Sequence, residues 1–175
     1  MILLTQTWEQ YIDTKCQDVE HRLIIKPFTN KKLLVKALTR RAFLNENIEF
    51  KEKFEENGDQ KGLDTVGDAV IDLIITKEAY DQGIITRKDL TEFRKKYGNN
   101  ITLHRYSNEC LNLDDHILWG SDEKSKFEER NMQSNIRFLA PCFESLIGAI
   151  YLDGGIDRVN DFLIDNEFFK KIDQF

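Results

Sequence analysis

Three aspartates at intervals of four residues, Asp64, Asp68 and Asp72, stand in an otherwise largely apolar stretch of the sequence. Residues four apart share one face of an α-helix, so this spacing predicts an acidic stripe on a helix over about 62–81. Like charges at this spacing repel each other, and partial burial adds a desolvation cost. We expect a cation to offset both effects, and a divalent metal ion is the simplest candidate.

A fourth carboxylate, Glu144, lies far along the chain within a second apolar stretch, residues 140–152. The sequence Asp-Gly-Gly at 153–155 follows this stretch and predicts the end of the helix. Gly148 shares a helix face with Glu144, and so small a residue lets another helix or a ligand approach closely. Carboxylates from two buried helices favour an oxygen-ligand site for Mg²⁺ or Mn²⁺.

The elements that position these acids are predicted to be helices, because helical periodicity dominates and no segment shows the sustained alternation of a strand. The predicted fold class is therefore all-α. The predicted helices cover about 6–18, a segment capped by Asn30, 62–81, a segment capped by Thr86, 99–110, a core helix ending near Leu152, and 156–172. Residues 44–61 are polar and predict a loop, whereas 121–133 are either a loop or a solvated helix.

The composition is that of a soluble globular protein, with 41% hydrophobic and 32% charged residues in a chain of 175. This length is enough for one domain with a sizeable core. No apolar run reaches the length of a membrane span, and the N-terminus lacks the pattern of a signal peptide, so we expect no membrane partner. Three scattered cysteines give no zinc-binding spacing and favour an intracellular protein, cytoplasmic or nuclear.

The net charge of −6 argues against a protein that binds nucleic acid by bulk electrostatics. A nuclease whose acids surround metal ions would instead need local basic rims. Two basic clusters, within 87–96 and within 31–41, are candidates for phosphate contact. The alternative for each cluster is a solvated helix face, which is the usual place for a run of charges.

Both acidic segments also resemble one protein family. Residues 62–75 are similar to the signature helix of the ribonuclease III family, Leu-Glu-Phe-Leu-Gly-Asp-Ala-Val-Leu-Asp. Residues 140–155 resemble its later helix, Ala-Asp-Ala-Phe-Glu-Ala-Leu-Ile-Gly-Ala-Ile-Tyr-Leu-Asp-Gly-Gly. Residues 37–43 and the central segment 90–103 add further matches in the same order, so the resemblance runs from about 30 to 165. It implies the ribonuclease III endonuclease-domain fold over 30–175, preceded by an N-terminal helix and lead-in at 1–29.

The resemblance implies a metal site, and the match at its positions is mixed. Asp68 and Glu144 match two family acids and are the predicted catalytic residues. The predicted metal ligands are Asp64, Asp68 and Glu144, with Mg²⁺ or Mn²⁺ as the cofactor. Asp64 stands where the family has the longer Glu, and Pro141 stands where the family has Asp, so one ligand is missing.

Two functions follow from this resemblance. The first is a metal-dependent endoribonuclease that hydrolyses the phosphodiesters of double-stranded RNA, with a weakened metal site. The alternative is a catalytically inactive RNA-binding or scaffolding subunit of an RNA-processing or ribosomal assembly. The chain covers no double-stranded-RNA-binding domain, so we expect a minimal nuclease, a domain of a longer protein, or a protein partner that supplies such a domain.

The resemblance also implies how RNA and a second subunit are bound. Arg94, Lys95, Lys96 and Asn99 are the candidate RNA-binding residues. The family forms a two-fold helical dimer around its signature helices, which predicts a homodimer around residues 62–75. Val66 and Val70 beside the acidic stripe are candidate interface residues, and the alternative is that they belong to the core.

Overall fold

A computed structural model describes residues 7–54, 60, 62–129 and 132–175, and within these ranges the chain is helical and has no strand. The predicted all-α class is confirmed. The described helices are α1 (Trp8–Arg22), α2 (Lys31–Leu38), α3 (Arg41–Glu46), α4 (Ile48–Phe54), α5 (Leu63–Asp81), α6 (Arg87–Gly98), α7 (Asn100–Glu109), α8 (Ser121–Glu128), α9 (Met132–Asp165) and α10 (Phe168–Ile172), with a short 3₁₀ helix at Leu113–Asp115 between α7 and α8.

The centre of the fold is the pair of helices α5 and α9, which pack along each other more extensively than any other pair. Helices α2 and α7 also pack on α9, and α6 packs on α5. The middle of α9 is fully buried at Leu146, Ile147 and Ile150. By length and composition, the part of α9 from Asn135 to Asp165 passes as a membrane span, contrary to our expectation, but 56% of its most apolar window is buried inside the fold. That burial is typical of a core helix.

Two glycines bring the backbones of α5 and α9 into direct contact. A Cβ atom on Gly67 would lie 1.7 Å from the backbone oxygen of Glu144, and one on Gly148 would lie 2.2 Å from that of Leu63. Real Cβ atoms never come so close, so only glycine fits at either position. This contact sets the acidic stripe of α5 beside Glu144.

The predicted helix starts agree with the structure. The Asn30 side chain accepts a hydrogen bond from the amide of Lys32, and Thr86 accepts one from Asp89. The predicted stop at 154–155 is a break rather than an end. Gly155 takes a positive φ of 77°, and the helix then continues to Asp165. A left-handed residue, Glu167, separates it from α10.

The loop predicted over 44–61 is wrong in its first part, because α3 and α4 occupy 41–54. Phe50 lies in this polar segment, is 1% exposed and packs edge-on against the rings of Trp8 and Phe43. Two buried side chains, Leu44 and Phe50, are enough to hold these short helices on the core. Residues 55–59 and 61 lie outside the described part of the chain.

Two further predictions differ in extent. The N-terminal helix continues past residue 18 to Arg22, because Val19 is fully buried in the core. For 121–133 the helical alternative is correct over α8, while 130–131 are outside the described residues. The division of the chain at residue 29 stays a prediction, as does the absence of a signal peptide, since residues 1–6 are likewise not described.

Candidate functional site

Helix α5 carries the predicted acidic stripe, and α9 carries Glu144 next to it. Asp68 is exposed, whereas Asp64, Asp72 and Glu144 are half-buried. Glycine contacts between the two helices, described above, hold this arrangement from below. The structure therefore brings the predicted catalytic and metal-binding residues to one side of the same helix pair.

The pKa of Glu144 shows how closely these acids interact. It is raised from the ordinary 4.5 to about 7, first by burial and then by the negative charges of Asp68, Asp64 and Asp72, in that order. Burial and like charges both disfavour the ionised carboxylate. Without a cation, Glu144 therefore holds a proton for much of the time near neutral pH.

The four acids differ in their protein partners. One oxygen of Asp64 accepts hydrogen bonds from the amides of Gly62 at 2.9 Å and Thr65 at 2.8 Å, so it caps the start of its own helix. Asp72 forms an ion pair with Arg94 of α6, which agrees with a helix-face carboxylate paired to a nearby cation. Within the described ranges, the carboxylates of Asp68 and Glu144 have no hydrogen bond or ion pair. These two are therefore the acids available to an external cation.

The donor set fits a hard divalent cation in chemistry, because it consists of carboxylate oxygens. As the side chains stand, no group of three His, Cys, Asp or Glu residues among those described converges tightly enough to ligate one ion. Pro141 offers no side-chain donor, and its carbonyl accepts a hydrogen bond from the Ser145 hydroxyl at 2.7 Å. The arrangement fits an ion held by one or two carboxylates and several waters, a coordination that Mg²⁺ commonly uses.

Each candidate RNA-binding residue has a partner inside the chain. Arg94 is paired with Asp72, and the Nζ atom of Lys95 donates to Glu92 at 3.0 Å. Lys96 donates to Asp173 at 2.5 Å. Asn99 caps α7, with its side-chain oxygen accepting from the amides at 101 and 102. The three cations are exposed and their ion pairs are weak surface pairs, so RNA contact stays a prediction for all four.

Sequence reasoning missed the roles that depend on the fold. The spacing of acids gave no sign that Arg94 reaches Asp72, because the two residues lie on different helices. That pair has one useful consequence: it joins the basic helix α6 to the acidic stripe of α5. The basic residues and the acids therefore lie on the same part of the surface.

A comparison with protein-family models finds a match to the Ribonuclease-III-like family over residues 30–172. Curated relatives include Ribonuclease 3 of Bacillus cytotoxicus, 34% identical over 137 residues, which cover 78% of this chain and 52% of that protein. Ribonuclease 3 of Geobacillus kaustophilus is 30% identical over 161 residues, which cover 91% of this chain and 61% of that protein. The chain thus spans between about half and three fifths of these relatives.

Solved structures give the same fold. The nuclease domain of ribonuclease III from Campylobacter jejuni, in a structure concerned with flexibility in the region of dimer formation, superposes with a TM-score of 0.70. It shares 24% sequence identity, and the match covers 88% of this chain and 98% of that domain. A second structure of the same nuclease domain matches with a TM-score of 0.66.

Proposed function

This chain belongs to the ribonuclease III-like family, and from that premise we propose that it is a metal-dependent endoribonuclease that cleaves double-stranded RNA. The observation that carries the proposal is the state of Glu144. Its carboxylate is half-buried and opposed by three aspartates, yet it has no cationic partner among the described residues. A structure that gathers negative charge in this way, at such a cost to ionisation, is typical of a site for a divalent cation.

The side chains have separate roles in this proposal. Asp68 and Glu144 hold the ion, and Asp64 acts through a bridging water because its carboxylate already caps α5. A bound Mg²⁺ or Mn²⁺ supplies Lewis-acid polarisation of the phosphodiester and activation of a water. Because Pro141 adds no ligand, we expect weak metal binding and activity that needs high Mg²⁺ or Mn²⁺ concentrations.

The RNA backbone is bound, in the same proposal, by the basic side of α6. Lys95 and Lys96 are exposed there, and Arg94 connects them to the acidic stripe. An RNA phosphate exchanges with the surface carboxylates that these cations now contact. Such exchange costs little, since surface ion pairs contribute about 0–1 kcal/mol.

We also propose a homodimer, with the interface on the solvent side of α5. Leu73 and Tyr80 lie two helical turns apart on that helix and are 59% and 63% exposed. Of the two valines expected there, Val70 is buried in the core of the single chain, and Val66 is half-buried against it. The exposed residues of α5 therefore replace them as the interface candidates.

The experiment is incubation of purified protein with a labelled RNA duplex in Mg²⁺, Mn²⁺ or chelator. We expect cleavage that depends on metal and is lost in Glu144→Gln, a substitution that keeps shape and removes the charge. Glu49→Gln is the matched control, because Glu49 is an exposed glutamate in the first turn of α4. Cleavage that survives in chelator, or in Glu144→Gln, contradicts the proposal.

The second candidate function is a scaffold that binds RNA or a partner without cleaving it, and Pro141 is the observation that favours it. It predicts RNA binding that neither chelator nor Glu144→Gln changes, and no cleavage in any metal. In that case a partner supplies catalysis, just as a partner or a further domain supplies the double-stranded-RNA-binding module in either case. Both functions place the protein inside the cell, and the relatives described above are bacterial.

A further inference from the structure

A second polar cleft lies between α7, the 3₁₀ helix, α8 and the beginning of α9, and none of its described lining residues is on α5. Its volume is about 590 Å³, which is within the range of pockets that hold small molecules and far above the ~30 Å³ of one water. Two of its lining side chains are more than nine-tenths buried: His104 is 8% exposed and Asn135 is 9% exposed.

Both of these side chains have a polar atom without a partner. Nδ1 of His104 and Oδ1 of Asn135 are buried and make no hydrogen bond to the described residues. The amide nitrogen of Asn135 donates to the carbonyl oxygen of Phe127 at 3.1 Å, which fixes the amide and leaves Oδ1 as an unused acceptor. Buried polar atoms are nearly always satisfied, so two unsatisfied atoms in one cleft indicate a bound molecule.

The charge of the lining determines what kind of molecule fits. Asp114 and Glu128 contribute carboxylates, and among the described lining residues Lys124 is the single cation. The Nζ atom of Lys124 is 3.8 Å from a carboxylate oxygen of Glu128 and 5.6 Å from the ring centre of Phe127. The lining is thus negative and rich in acceptors, which disfavours an anion and favours a neutral ligand with N–H donors.

The shape and protonation of the lining narrow the choice further. The ring of Phe127 stacks on Trp119, with centroids 5.0 Å apart, and gives the cleft an aromatic wall. Burial lowers the pKa of His104, and the smaller effect of Glu109 does not reverse it. A neutral imidazole offers one donor and one acceptor. A flat ligand with a ring nitrogen and an amino group matches these groups.

We propose that this cleft binds a neutral nucleobase that carries an exocyclic amino group, such as cytosine. The amino group donates to Oδ1 of Asn135, a ring nitrogen pairs with His104, and the base packs against Phe127. The base comes either from a free nucleoside or from an unpaired nucleotide of RNA. This binding does not depend on the acidic stripe, so it holds whether or not the protein is a nuclease.

The test is a titration followed by NMR signals of the histidine rings. The chain has three histidines, and His21 and His116 do not line the cleft, so they are internal controls. We expect cytidine to shift the His104 signals saturably and leave the other two unchanged. Uridine has a carbonyl oxygen in place of the amino group and should bind about tenfold more weakly, as the loss of one good hydrogen bond implies.

Two additions distinguish the source of the base and locate the site. Short single-stranded oligocytidylate that shifts His104 when cytidine does not identifies RNA as the source. Asn108 is exposed at the cleft, so Asn108→Trp should fill it and abolish the shift while the His116 signal stays in place. No His104 shift with either probe, or equal binding of cytidine and uridine, overturns the proposal. The second comparison uses the unmodified protein and stands even if the variant fails to fold.

Discussion

At Glu144, the folded structure opposes ionisation, and this has a defined effect on stability. The pKa is about 7 in the folded protein and 4.5 for the ordinary group, so between these pH values the folded chain holds a proton that the unfolded chain has released. Stability without metal should therefore fall as the pH rises through this window. Glu144→Gln should fall less and be more stable than the parent at pH 8 in chelator.

Urea unfolding at pH 5 and pH 8 measures this difference. Glu49→Gln, at an exposed position, should keep the slope of the parent protein. Addition of Mg²⁺ should recover the stability of the parent at pH 8 and leave Glu144→Gln unchanged, because a ligand that binds only the folded state stabilises it. Parallel pH dependences of the parent and Glu144→Gln would contradict the raised pKa.

Pro141 tests whether the missing acid weakens the metal site. Pro141→Asp should lower the Mg²⁺ concentration needed for half-maximal cleavage, because the new carboxylate lies three residues before Glu144 and shares its helix face. It also restores a backbone N–H to α9, which alone changes stability. Pro141→Ala is the control, since it restores the N–H without the carboxylate. Equal metal dependence in the Asp and Ala variants would show that this position does not supply a ligand.

At the level of the helices, the contact of α5 with α9 depends on Gly67. Gly67→Ala should destabilise the protein by roughly 1–3 kcal/mol or more, because the added methyl meets the backbone of Glu144 and the helices must separate. Thermal unfolding measures the loss. Gly98→Ala, in α6, is the matched control: its Cβ would meet only the movable end of Ile75 at 3.3 Å, so a small change is expected.

Similar unfolding temperatures for these two variants would show that the close helix contact is not required. If Gly67→Ala still folds, it should also lower metal affinity, since separation of the helices moves Asp68 away from Glu144. Calorimetric titration with Mn²⁺ measures that effect separately from stability.

The sequence predicts the long helices well, because periodicity and caps are local features. Asn30 and Thr86 are the caps that their side chains predict. The short helices α3 and α4 are missed because their stability comes from tertiary contacts of Phe50 with Trp8 and Phe43, which no local pattern contains. Residues distant in sequence decide such segments.

The candidate site divides in the same way. The spacing of Asp64 and Asp68 and the apolar surroundings of Glu144 predict which acids come together. They do not predict that Asp64 caps α5 or that Asp72 is engaged by Arg94, because both depend on where other backbone and side-chain atoms lie. His104 has no motif around it, so its unpartnered atom is visible only in the fold.

For the whole molecule, the exposed apolar residues of α5 imply association. Leu73 and Tyr80 would cost free energy by facing water, and a two-fold dimer would bury both of them twice, since the same patch serves each chain. We expect sedimentation at tens of micromolar to show a dimer. Leu73→Glu should shift it to monomer, because it would place two like charges in a desolvated interface.

The control for this substitution is Ile48→Glu, at an apolar residue of α4 that is 64% exposed, close to the 59% of Leu73. It should leave the dimer intact, and circular dichroism should show that both variants keep their helices. A monomeric parent protein, or equal dissociation by the two substitutions, would contradict an interface on α5. If Leu73→Glu is monomeric, each acidic site is still complete within its own chain. It should then bind Mn²⁺ like the parent but cleave a duplex poorly, because an RNA duplex would contact only half of the dimeric surface.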